Sequence, residues 1–257
     1  MVSKNARRIS MTAVAALGAA GLAAVARAQK RGAFVNVDQR VRRWFRGRRL
    51  HGSGVEKALA KVGTYGAKWF SHIPASLFAG AWLSTKSGLP AGATLPAASL
   101  ASTVLQKGMK KAYGRRRPEK AQRDGKKSRS FPSGHATSST AIGMTAAYAL
   151  TRECCAPASV AIPAALGWVA LSSASKLYDE HHFFSDILGG LAGGVAIGGA
   201  ACAAYECTRR RRTDDGPFRG DGGGDDADAP RPRFPAASCN GRATIPRAAG
   251  QGLVYAW

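Results

Sequence analysis

Eight residues have the types and spacings that phosphoryl transfer needs: Lys110, Arg117, Ser133, Gly134, His135, Lys176, His182 and Asp186. A phosphate monoester is an anion that must be held and neutralised while its leaving group departs. Lys110 and Arg117 supply positive charge, the arginine as a bidentate fork. Pro132-Ser133-Gly134 reads as the opening of a helix with Ser133 as N-cap. Exposed N–H groups at such a start cradle an anion, and the glycine lets a phosphate approach the backbone closely. Asp186 follows His182 by four residues, which makes the two neighbours on one face if the segment is helical. The carboxylate can then bind one ring nitrogen and leave the other to attack phosphorus. His135 can protonate the departing oxygen. No carboxylate cluster suggests a metal site, so no metal or cofactor is expected and cationic side chains take the place of a divalent ion.

The elements that must position these residues are apolar. Five stretches, at about 68–85, 91–106, 135–151, 158–174 and 184–205, lack internal charge and are rich in Ala, Gly and Ser, as where membrane helices pack closely. The fold expected is all-α: an integral membrane bundle of five to six transmembrane helices. Breaks fall at Ser87-Gly88-Leu89-Pro90, in a loop over 107–132 that carries the first two motifs, and at Cys155-Ala156-Pro157. One pair of crossings separates His135 from Lys176, so the motifs return to the same face of the membrane.

Before the bundle, Lys4, Arg7 and Arg8 precede an apolar run from Met11 to Ala26 and an A-x-A-like site at Ala26-Arg27-Ala28. Residues 1–28 therefore read as a signal, transit or anchor segment, and the three remain open. Residues 29–66 read as a basic amphipathic interfacial region, because Phe34, Val37, Val41, Trp44 and Phe45 recur at helical spacing among arginines. Residues 67–207 form the catalytic membrane domain. Residues 208–257, with their Gly/Asp-rich run and frequent Pro and Arg, read as a disordered tail.

The net charge is +23, from 38 Lys and Arg against 15 Asp and Glu. It lies in blocks between apolar segments, which fits helices with basic flanks contacting membrane lipids and excludes a nucleic-acid module with one continuous basic face. Five cysteines, an odd number without C-x-x-C pairs, suggest neither a disulfide framework nor zinc. His51 and His72 fit no motif. Arg115 and Arg116 read as solvated or near headgroups, and Tyr178 and Phe183 as packing residues.

In order and spacing, the three segments resemble the signature of the type-2 phosphatidic acid phosphatase superfamily, which also holds bacterial class A acid phosphatases and vanadium haloperoxidases. Its pattern is K-x6-R-P, then P-S-G-H, then S-R-x5-H-x3-D. The matches are Lys110, Arg117 and Pro118; Pro132 to His135; and Ser175, His182 and Asp186. The resemblance implies a phosphohistidine on His182, oriented by Asp186, with His135 as general acid. It also implies phosphate held by Lys110, Arg117, Ser133, Gly134 and Lys176. Lys176 departs from the usual Arg, keeping the charge and losing the planar fork. The function expected is metal-independent hydrolysis of a lipid phosphate or isoprenoid (di)phosphate. A soluble secreted acid phosphatase, a haloperoxidase and a non-catalytic lipid-binding scaffold are the alternatives. Which lipid, which membrane face and which oligomer are left open.

Overall fold

The computed structural model describes residues 10–125, 129–153 and 155–214. All the regular structure there is helical: α1 (Met11–Lys30), α2 (Val35–His51), α3 (Gly54–Gly66), α4 (Trp69–Ser87), α5 (Leu89–Gly92), α6 (Thr94–Tyr113), α7 (Glu119–Arg123), α8 (Gly134–Arg152), α9 (Ala158–Tyr178) and α10 (Phe184–Asp214). Three of them, α1, α9 and α10 as far as Arg211, are long and apolar enough to cross a membrane. These helices point to a membrane protein.

The distribution of side chains explains how such modestly hydrophobic helices form a bundle. Polar groups point inward: Ser99, Ser102, Ser138, Ser139, Ser172 and Ser175 are all buried. They are paired across helices, Ser102 with Ser138 at 2.9 Å and Ser172 with Ser139 at 2.8 Å. Large apolar side chains point outward instead, among them Phe78, Val104, Leu166 and Leu17. Water would penalise that surface, whereas hydrocarbon accepts it, and small hydroxyl residues let helices approach and bond inside.

α1 packs tightly on α10. A Cβ on Gly18 would stand 2.8 Å from Ala196 Cα, and one on Gly199 2.7 Å from the Ala15 nitrogen. Leu22 and Ala26 of α1 are buried beside Phe131. We expect Gly18→Ala to force the two helices apart at a cost of about 1–3 kcal/mol, read as a lower melting temperature in detergent with the active-site residues untouched.

Several sequence expectations change in detail. The basic region is two helices rather than one: α2 stops at Gly52, and α3 opens with a reciprocal capping box between Ser53 and Glu56. That S-x-x-E pattern was the available signal. The expected loop at 107–132 is partly helical. α6 continues through Lys107 and Lys110 to Tyr113 and stops at Gly114, whose φ of 60° is left-handed. Lysine and methionine sustain a helix, and only the glycine ends it cheaply. Lys110 therefore sits on a rigid element rather than a loop. At the far end α10 runs to Asp214, seven residues into the expected tail, because Arg209–Arg212 are also good helix formers. The rest of that tail, 215–257, and residues 1–9 of the leader lie outside the described residues.

Candidate active site

Four helix ends meet at one cavity of about 440 Å³. Lys110 comes from the last turn of α6, Gly134 and His135 open α8, Lys176 closes α9, and His182 lies in the short link before α10. Arg117, in the link between α6 and α7, completes the lining. Of the eight expected site residues, six line the cavity, and Ser133 and Asp186 lie fully buried behind it.

His182 is not helical, since α10 begins at Phe184. Asp186 reaches it nonetheless: His182 Nδ1 lies 3.5 Å from Asp186 Oδ2, longer than a formed hydrogen bond. The same oxygen accepts the Phe183 N–H at 2.8 Å and the Ser130 hydroxyl. Asp186 thus closes the first turn of α10 in the manner of a capping-box acid while facing the imidazole. On the other side of the ring, Arg117 Nη1 donates to His182 Nε2 at 3.1 Å. Because a guanidinium has donors only, Nε2 must be the acceptor and the ring proton sits on Nδ1, toward Asp186. The Nε2 lone pair, engaged by Arg117, therefore lies on the cavity side of the ring. Burial pushes the imidazole down to about 4; Asp186 opposes the shift, and Arg117 and Lys110 add to it.

His135 Nε2 lies 3.2 Å from the Thr64 carbonyl, which only accepts. Nε2 therefore carries the proton in this bond, and Nδ1 remains to exchange a proton with a substrate. The Thr64 hydroxyl donates to Asp179 Oδ2 at 2.8 Å, and Lys176 Nζ lies 3.4 Å from the same oxygen. The end of α3 is thereby tied to two site residues.

Ser133 occupies the N-cap position of α8 with an extended backbone, yet its side chain makes no capping bond. Its hydroxyl is buried without a partner, while its N–H donates to the Asp186 carbonyl at 2.9 Å. The space beside Gly134 is occupied by the Gln106 side chain, whose amide carbon would lie 2.8 Å from a Cβ there.

Arg115 is not solvated, contrary to the sequence expectation. It bridges two buried carboxylates, Asp38 at 2.7 Å and Asp186 at 2.8 Å, and stacks 4.2 Å from the Phe183 ring centroid. Asp38 lies on α2, 2 % exposed. A second link runs the other way. Glu180, 1 % exposed, accepts from Arg42, Arg46 and Arg49 of α2 at 2.9–3.1 Å. Its own burial would raise the carboxyl, but the three guanidiniums hold it at about 2. Its φ of 54° is costly for a residue with a Cβ, by about 1 kcal/mol, and this clamp offsets it. His72, which fitted no motif, lines the cavity with Nδ1 3.0 Å from Ser99 Oγ. No local sequence signal marks Asp38, Glu180 or Thr64, because their partners lie 71 to 147 residues away.

No curated protein matches the chain. Among solved structures, a transmembrane PAP2-type phosphatidylglycerolphosphate phosphatase from Bacillus subtilis is similar in fold, with a TM-score of 0.63 at 18 % identity over 80 % of this chain and 98 % of that one. Residues 91–211, which hold all eight expected site residues, match the model of the PAP2 superfamily. Over that stretch the chain is similar to the PAP2 superfamily.

Proposed function

We propose that this protein is a membrane-embedded phosphatase that hydrolyses a lipid phosphate, without a metal, through a phosphohistidine on His182. The family supports a phosphatase acting on lipid. What carries the finer reading is the placement of His182: Nε2 accepts at the cavity wall, Asp186 lies behind Nδ1, and Lys110, Arg117 and Lys176 line the same space.

In the first step the bound ester monoanion passes its proton to His135 Nδ1, His182 Nε2 attacks phosphorus, the P–O ester bond breaks, and the leaving oxygen takes that proton from Nδ1. Arg117 moves from the ring nitrogen to the phosphoryl oxygens, exchanging one acceptor for a stronger, charged one. The cations neutralise charge as it shifts to the leaving oxygen. In the second step water attacks the phosphohistidine, His135 takes its proton, and phosphate leaves with Nε2 restored. The buried, unpartnered Ser133 hydroxyl is suited to a phosphoryl oxygen. Lys176, already held by Asp179, acts as a point charge where the family pattern has an arginine fork.

Six crossings, by α1, α4, α6, α8, α9 and α10, account for an outer surface lined with Phe78, Val104 and Leu166. The packing of α1 on α10 supports an anchor that is retained.

The test is phosphate release by detergent-purified protein in excess EDTA, across a panel of lipid phosphates and one soluble ester. Release from lipid that resists EDTA is expected. Release that EDTA abolishes, or that the soluble ester alone supports, contradicts the reading. The imidazole predicts the pH profile as well. With the free-enzyme value at about 4, the neutral nucleophile persists well below 6.5. The acid limb of kcat/KM assigned to His182, after correction for the substrate's own ionisation, should fall at about pH 4. A limb at 6.5 that follows His182 would mean an imidazole in ordinary surroundings.

A further inference from the structure

We infer that Asp38, on the interfacial helix α2, is a positioning residue for the nucleophile, acting through Arg115 on Asp186; the inference rests on His182 being the nucleophile.

The geometry is a buried relay. Asp38 Oδ1 accepts the Ser185 N–H at 2.8 Å. Its Oδ2 accepts the Ser185 hydroxyl at 2.7 Å and Arg115 Nη2 at 2.7 Å. Arg115 Nη1 donates to Asp186 Oδ1 at 2.8 Å and to Ser185 Oγ at 2.7 Å. Asp186 Oδ1 is thereby occupied, and Oδ2 is the oxygen that faces His182 Nδ1. Asp38 thus fixes the first turn of α10, the turn that carries Asp186, and with it the angle of that carboxylate to the ring.

The relay also sets charge. Arg115 alone beside Asp186 would cancel the carboxylate's field at the imidazole. Sharing Arg115 with Asp38 leaves the trio with one net negative charge, so Asp186 still favours a proton on Nδ1 and an electron-rich Nε2. The other charged and titratable groups around the ring are Arg117, Lys110 and His135, with Lys176 beyond His135. All three of those cations oppose an electron-rich ring; Asp179 offsets Lys176, and the negative charge of the trio offsets the rest. Asp38 lies outside the matched family domain at residues 91–211.

A charge relay and a mere brace give different results on combining variants. Asp38→Asn keeps the shape and removes the charge, leaving Arg115 and Asp186 to cancel. Asp38→Asn with Arg115→Gln returns the net charge to that of Asp186 alone. Two readouts are needed: kcat and KM for phosphate release, and the rate at which diethylpyrocarbonate modifies His182 at pH 7.5, followed by mass spectrometry. The second reads the reactivity of the imidazole without any substrate. Arg46→Gln is the control for loosening α2, since Arg46 touches Glu180 and no member of the relay.

For Asp38→Asn we expect kcat to fall about tenfold with KM within about twofold, and His182 labelling to slow in parallel. In the double variant both should recover at least about threefold over the single. Arg46→Gln should lower the melting temperature and leave kcat and labelling unchanged. Unchanged labelling in Asp38→Asn overturns the inference, as does a double variant worse than either single. If wild type releases no phosphate while labelling follows the expected pattern, the relay stands and the phosphatase reading falls.

Discussion

Replacing His182 by Asn should lower phosphate release by at least about a thousandfold and remove the proposed covalent intermediate with it. Asparagine preserves much of the ring's shape and can still accept from Arg117, so the cavity and the bundle should survive. What it lacks is a nitrogen lone pair nucleophilic enough to take phosphorus. Rapid quench with a ³²P-labelled lipid substrate gives the decisive measurement: wild type should carry label that survives alkali and is lost in acid, as a phosphoramidate is, and the variant should carry none. Asp186→Asn should behave differently. With Oδ2 no longer charged, the ring loses its orientation, and turnover should fall by about a hundredfold or more while label remains trappable. Label on the His182 variant would place the nucleophile elsewhere, and the adjacent His181 would be the next residue to replace.

Glu180→Gln is the variant with the largest expected effect on stability. The carboxylate is 1 % exposed and neutralises three guanidiniums at once. Removing its charge leaves Arg42, Arg46 and Arg49 repelling one another, Arg42 being 14 % exposed. Breaking a buried ion pair from one side typically costs about 3–5 kcal/mol, which corresponds to a melting temperature lower by roughly 5 °C or more. The pH dependence has a definite sign. The folded-state carboxyl is held at about 2, below its ordinary 4.5. The unfolded chain therefore takes up the proton first, and the contribution is fully present above pH 4.5 and lost as the pH falls toward 2. Wild type and Glu180→Gln should thus converge in stability under acid. Parallel curves down to pH 2 would mean that the clamp contributes little.

The sequence made the chemistry legible because the chemistry is local. Lys110 and Arg117, Ser133 to His135, and Lys176, His182 and Asp186 sit in short segments, and short segments at helix ends keep their spacing whatever the rest of the chain does. The structure brings them together as expected and corrects how they are held. Lys110 rides on a helix that runs on to Gly114, and His182 lies in a link ahead of its helix rather than on it. The apolar stretches were also legible, although Ser and Thr facing inward diluted their hydrophobicity enough that, among the described residues, three helices are apolar enough to cross a membrane by composition. What could not be read was the wiring across the chain. Arg115 looked like one more surface arginine in a basic run. Its meaning depends on Asp38, 77 residues earlier, and nothing in either segment announces the other. The same holds for Glu180 and for the carbonyl of Thr64, a group that every residue possesses and no motif can mark.

The Thr64 carbonyl sets a boundary on what counts as the enzyme. His135 is tied to the backbone of α3, and Asp186, through Arg115, to a carboxylate of α2, both helices upstream of the matched residues 91–211. A fragment trimmed to that domain would retain every signature residue and still leave His135 without its contact on Thr64 and Arg115 without Asp38. Side-chain scanning of α3 would also miss the bond, since Thr64→Ala removes the hydroxyl and spares the carbonyl. The smallest unit expected to perform the proposed reaction would therefore reach back at least through α2, and α1 packs on α10 beyond it.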